Sequence, residues 1–244
     1  MEMNIFQFYR IVDMKLKSVQ QEAFQLDNQQ IRMPFMQFDE TIREALANCL
    51  AHADYTQAYP SIKIEVFDGW FNFQNPGKML VSPQQFFIGG DSRPRNETIM
   101  KLFRLMGVSE RQGAGGPMIY RSAREREYRR PEIDTSLEQT ILKIWNIDLV
   151  DSHPELDEKE KAVFRYIAKA KRLVTEKEIR AGVDLSEYYS RKAISSLLKR
   201  ELIDVYGKGP ATTYHVAVRT EEAIIQFQLA EEMIRKILID QSGI

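Results

Sequence analysis

The chain has almost no cysteine, few histidines, no long apolar run and no dominant charge sign. Cys49 is the only cysteine in 244 residues, which excludes an internal disulfide and any multi-cysteine zinc site and suits a reducing cytoplasm. Two of the three histidines, His153 and His215, are too isolated in sequence to propose a metal site. The apolar runs fall far short of a membrane span and the N-terminus lacks a signal-peptide pattern, so the expected location is cytoplasmic, without a membrane partner. Lys and Arg number 34 against 35 Asp and Glu, a net charge of −1, so any attraction for nucleic acid must be local. No internal repeat or low-complexity tract occurs, and the length accommodates two domains.

Apolar positions at helical spacing predict a helix over Asn4 to Ser18. Alternation around Asp27-Asn28 predicts a short hairpin over Ala23 to Phe35, and Asp39 reads as the N-cap of a helix from Glu40 to Ala53. The best strand signal is Ser61 to Phe67, which Asp68-Gly69 turns into a second strand, Trp70 to Asn75. Asn75 to Asn96 reads as irregular. Asn96 then caps a helix to about Met106, a glycine loop occupies Gly113 to Pro117, and a charged helix (Met118 to Arg130) and a strand (Leu137 to Asn146) follow. The basic run Arg121 to Arg130 is expected to be an exposed helix face.

The chemistry-bearing segment is Arg43 to His52. Glu44 and Asn48 lie four apart and project side by side from a helix. A carboxylate can orient or deprotonate water, and an amide oxygen is a suitable hard ligand for Mg²⁺ beside phosphates. Glycines at Asn75-Pro76-Gly77 and Gly113-Ala114-Gly115 would let backbone N–H groups approach adenine and phosphate. Among neighbours, His52 fits packing or capping better than phosphate contact, and Cys49 reads as a small core residue. Arg93 and Arg95 are candidate phosphate contacts in a lid, and Asp54 shows no catalytic partner.

Read together, Arg43 to Tyr55 (REALANCLAHADY), Phe73 to Gly77 (FQNPG), Gly89 to Asn96 (GGDSRPRN) and Leu102 to Gly115 (LFRLMGVSERQGAG) resemble the GHKL-type ATP-binding module of Schlafen AlbA-containing bacterial transcriptional regulators. Gyrase B, MutL and the histidine kinases are more distant relatives. The resemblance spans roughly residues 1–147 and implies ATP or ADP with Mg²⁺ as cofactor. Glu44 would be the water-activating acid and Asn48 the Mg²⁺ ligand. Asn75 would stand at the adenine-binding Asp position with Gly77 after it, and Gly113 and Gly115 would be the phosphate-loop glycines. The sequence departs from the pattern in having Asn75 for the acidic residue and Lys78-Met79 where a further glycine is expected. The resemblance also implies an AlbA-like DNA-binding domain upstream, which residues 1–244 do not contain.

Beyond a linker at 148–156 the texture changes. Between Lys161 and Arg219 thirteen Lys/Arg meet six Asp/Glu, a locally basic region in a neutral chain. Thr175 to Glu178 fits a capping box and Ser186 a helix cap, and two strands flank Gly207-Lys208-Gly209-Pro210. Three helices followed by a strand pair predict a winged helix-turn-helix. Ser190, Arg191 and Lys192 near the start of its third helix, and Lys208 in the wing, are the candidate DNA contacts.

The expected fold is α+β: a GHKL-like α/β sandwich with a mostly antiparallel sheet (1–147), then the winged helix-turn-helix (157–219) and a C-terminal helix (220–244). The apolar side of that helix (Ile224, Phe227, Ala230, Ile234, Ile237, Leu238) is expected to pack back on the winged helix or to pair with a second copy, and the homodimer is favoured. The expected function is transcriptional regulation by binding double-stranded DNA, with the first domain sensing a nucleotide or serving as a scaffold. The alternatives are an active Mg²⁺-dependent ATPase acting through Glu44, and a protein-interaction module with a degenerate pocket.

Overall fold

The computed structural model describes residues 4–26, 34–90, 93–109, 113–218, 222–231 and 234. The chain forms two compact units, Met1–Asp148 with Ile224–Ile244, and Leu149–Ala223. No helix among the described residues is long and apolar enough to cross a membrane.

In the first unit, helices α1 (Ile5–Leu26) and α2 (Pro34–His52) precede a hairpin of β1 (Lys63–Phe67) and β2 (Trp70–Pro76). Helices α3 (Pro83–Ile88), α4 (Glu97–Leu105) and α5 (Gly115–Glu125) follow, then strands β3 (Glu132–Thr135) and β4 (Gln139–Trp145). The four strands form one antiparallel sheet in the order β1-β2-β4-β3. Gly69 makes the two-residue turn possible: its φ is +86°, and a Cβ there would meet Ile147 Cδ1 at 2.8 Å. Residues alternate across a strand, so Phe71 and Phe73 share a face with their register partners Ile144 and Leu142. These four join Ile42, Leu46 and Leu50 of α2, Phe103 of α4 and Tyr120 of α5 in one core. Each large side chain buried there contributes roughly 1.5–3 kcal/mol. On the other face of the sheet Lys143 Nζ lies 4.0 Å from the Trp70 ring centroid, and the Arg129 guanidinium covers Trp145 at 4.2 Å.

Three local expectations are corrected. Residues 23–26 continue α1, and α2 already includes residues 34 and 35, so the hairpin expected over Ala23 to Phe35 is absent from its described part; residues 27–33 lie outside the described residues. Asp39 sits inside α2 rather than capping it, and Phe38 before it, 8 % exposed, packs against Phe71 and Tyr128. Within the supposedly irregular stretch, α3 forms where Ser82 accepts a hydrogen bond from Gln85 N and a proline opens the helix, a start signal present in the sequence.

The second unit runs α6 (Glu158–Ala170), β5 (Val174–Thr175), α7 (Glu176–Val183), α8 (Glu187–Lys199), β6 (Ile203–Tyr206) and β7 (Thr213–Val216). Its sheet is antiparallel in the order β5-β7-β6. Thr175 and Glu178 form the expected capping box on α7, and Ser186 caps α8. The segment expected as a linker is structured: Val150 and Leu156 are buried in the core of this unit with Val163, Phe164, Ile167 and Leu197. The expected C-terminal helix forms over its described part, but one of its residues packs in the first unit. Residues 222–231 are helical, and Ile225 is 6 % exposed within the core of the first unit. The second unit is therefore an insertion that leaves and re-enters the first.

Candidate functional site

The first cluster lies where α2 meets the start of α5. Glu44 is buried and Asn48 half-buried. The Asn48 amide nitrogen donates to Glu44 Oε1 at 2.7 Å and to the Glu44 carbonyl at 2.9 Å. Because the amide points its NH₂ at a carboxylate, its oxygen faces the other way, the orientation a hard cation requires. Ser109 Oγ also donates to Glu44 Oε1, at 3.2 Å. Gly115, the first residue of α5, has no room for a side chain: a Cβ would overlap Glu44 Oε1 and stand 3.0 Å from Asn48 Nδ2. The carboxylate, the amide and a helix N-terminus thus converge, and an anion placed there would meet free backbone N–H groups. Gly113 lies against the backbone of Gly90, with φ +77°.

A second cluster closes the end of β2. Asn75 is 5 % exposed, and its side-chain nitrogen donates to the Pro76 carbonyl at 3.1 Å. Thr140, its partner in register, donates from Oγ1 to the Gly77 carbonyl at 2.9 Å. Gly77 has φ +92°, and a Cβ would stand 2.9 Å from Asp54 Cβ and 3.1 Å from Arg95 Nη2. Arg95 spans this turn, pairing with Asp54 Oδ2 at 3.3 Å and donating to the Lys78 carbonyl at 2.9 Å. Asn96 beside it donates from Nδ2 to the carbonyls of Ala51 and Ala53 and so closes the C-terminus of α2. Burial and the neighbouring Arg95 push the His52 imidazole down to about 4, so it is neutral at pH 7. Burial alone raises the Cys49 thiol to about 12, and its Sγ lies 3.4 Å from the Gln74 carbonyl as a packing residue. The Asp54 carboxyl is held low by the Thr56 hydroxyl and backbone N–H, with Arg95 assisting.

Sequence reasoning identified Glu44, Asn48 and Gly115, which the structure brings together, and Asn75 and Gly77, which lie at one turn. It missed Ser109, Thr140 and the Asp54–Arg95 pair, since no local pattern announces contacts made across 65, 63 and 41 residues. Arg93 is exposed, whereas Arg95 is a strut of the turn. Residues His153 and His215 find local partners, Glu155 Oε1 at 3.0 Å and the Val216 carbonyl at 2.8 Å.

On the second unit the solvent face of α8 presents Tyr188, Arg191, Lys192, Ser195 and Lys199. Ser190 is a correction: it is 0 % exposed, and its hydroxyl finds no partner among the described residues. Its position on the turn puts it with Ala193, Ile194 and Leu197, so it cannot touch a ligand without unpacking the core. Arg191 is exposed but already engaged, by Glu176 Oε1 at 3.1 Å and Glu187 Oε1 at 2.7 Å. Lys192, Lys199 and Lys208 are exposed and have no ion pair among the described residues.

Part of the α+β unit is similar to an ATPase-like family. Residues 60–144 match the family model described as putative ATP-dependent DNA helicase recG C-terminal; the match begins after Glu44 and Asn48. No curated protein matches the chain. Among solved structures it is similar to the DIP2311 protein from Corynebacterium diphtheriae, at 13 % identity and a TM-score of 0.46, over 85 % of this chain and 53 % of that one. The chain therefore spans about half the length of that relative.

Proposed function

We propose that this chain is a DNA-binding transcriptional regulator of the Schlafen AlbA type, cytoplasmic, in which the α+β unit takes ATP or ADP with Mg²⁺ as an effector. The observation that carries the nucleotide reading is the junction of Glu44, Asn48 and Gly115. Asn48 would ligate Mg²⁺ through its outward amide oxygen, the start of α5 with Gly113 and Gly115 would receive phosphate, and Asn75 and Gly77 would face the base. A bound nucleotide would supply phosphate oxygens to the cation. Glu44 is held by Asn48 and Ser109 and is shielded from solvent, which favours effector binding over hydrolysis, since a general base must reach water. Calorimetric titration tests this. ATP is expected to bind several-fold more tightly with Mg²⁺ than with chelator, Asn48→Ala to erase that difference, and Glu44→Gln to leave affinity nearly unchanged. No heat and no thermal shift at millimolar nucleotide would sink the effector reading.

The second unit is proposed to be a winged helix that binds double-stranded DNA. The support is the order of three helices and an antiparallel strand pair, with unpaired lysines at Lys192 and Lys199 on α8 and Lys208 between β6 and β7. Phosphate contacts release counterions, so affinity should fall with salt, and Lys192→Ala and Lys208→Ala should each lower the log–log slope by about one. Arg191→Ala should change the slope less than either lysine variant, because Glu176 and Glu187 already neutralise Arg191. Fluorescence anisotropy of a labelled duplex between low and moderate salt measures all three. Equal slopes for wild type and both lysine variants would leave this unit as a protein-contact module.

A further inference from the structure

The arginines at the first turn of α8 are already paired. Arg180 Nη1 pairs with Glu187 Oε2 at 3.0 Å, Glu187 pairs with Arg191, and Arg191 with Glu176, so two cations and two carboxylates cancel. Arg191 is thus a weak attractor of phosphate, whereas Lys192 and Lys199 further along the helix have no ion pair among the described residues. Tyr188 stands beside these ion pairs, 69 % exposed, and lines an open concavity of about 540 Å³ with Glu187, Arg191 and Lys192. Its ring is braced from behind. Tyr189 meets it edge-on at 5.3 Å, and Lys159 Nζ lies 3.3 Å from the centroid of the Tyr189 ring. A large aromatic ring held in solvent by a second ring loses less side-chain freedom when it binds than an unbraced one.

We propose that Tyr188 is the sequence-discriminating residue of the DNA-binding face and that the base feature it reads is the thymine 5-methyl group in the major groove. The inference rests on the DNA-binding reading above. The apolar edge of a tyrosine ring suits a methyl group, the one apolar feature that base pairs present in that groove. The division of labour along α8 follows: the aromatic first turn, whose arginine is already paired, reads a base, and the lysines behind it hold phosphates.

The test is a selection from random duplexes with the full chain, comparing wild type, Tyr188→Ala, Tyr188→Phe and Lys192→Ala. Tyr188 is a surface residue, so its variants keep the fold, which circular dichroism checks. Wild type is expected to select a thymine at one position, and replacing that thymine by uracil to weaken binding about fourfold, the effect of one buried methyl. Tyr188→Ala should lose both the preference and the uracil effect with its salt slope unchanged, while Tyr188→Phe keeps both. Lys192→Ala should keep the preference and lose slope. A Tyr188→Ala protein that selects the wild-type sequence, with the uracil effect intact, overturns the role of Tyr188 alone. No salt-dependent binding by the wild-type chain would instead overturn the DNA-binding reading, and this inference with it.

Discussion

Replacing Ile225 by aspartate should destabilise the first unit by about 4 kcal/mol or more, since an unpaired carboxylate would be forced into an apolar core. Ile225 lies beyond the entire second unit in sequence, yet it is 6 % exposed among residues of the first core. The readout is built into the chain. Both tryptophans, Trp70 and Trp145, belong to the first unit, so tryptophan fluorescence during urea unfolding reports that unit. At protein concentrations low enough to keep both chains monomeric, Phe227→Asp, two residues away but 71 % exposed, should shift the same transition by no more than about 0.5 kcal/mol. An unchanged midpoint in Ile225→Asp would mean that the C-terminal helix is not part of this core. The side of the helix bearing Ile224, Phe227, Ala230 and Ile234 is exposed, and a second copy of the chain is the proposed cover for it. Light scattering at tens of micromolar should give a dimer mass for wild type and a monomer mass for Phe227→Asp.

Lowering the pH from 7.5 to 5 should cost the first unit about 2 kcal/mol through His52 alone. Its folded imidazole titrates at about 4, through burial first and Arg95 second, while an unfolded histidine titrates near 6.5. A depressed folded value means that the unfolded chain takes up the proton first as the pH falls. The neutral imidazole's contribution is therefore complete above pH 6.5, shrinks between 6.5 and 4, and is gone below. In the folded chain the Asp54 carboxyl nearby is held lower than usual, chiefly by Thr56, so its own contribution is lost only below the ordinary carboxylate range and not between pH 7.5 and 5. His52→Gln should flatten the dependence between pH 7.5 and 5, measured by the same tryptophan transition. A slope as steep in the variant as in wild type would assign the acid sensitivity elsewhere.

Elements whose signals are local were legible in the sequence. The hairpin through Asp68-Gly69, the capping box Thr175 to Glu178 and the cap at Ser186 all form where turn and cap chemistry places them. The pairing of Glu44 with Asn48 follows from helical geometry alone. Ser190 shows the limit of that reasoning: its neighbours Arg191 and Lys192 are exposed, but 3.6 residues per turn put its own Cβ with Ala193 and Leu197, and only the packing of α8 on its unit fixed which side is inward. Tertiary structure alone decided that Gly115 is required by the Glu44 carboxylate, that Arg95 belongs to Asp54, and that Ile225, beyond the whole second unit in chain order, joins the first core. Local preference is set within a turn or two of helix, whereas these contacts join segments that meet only when the apolar faces of sheet and helices are buried together.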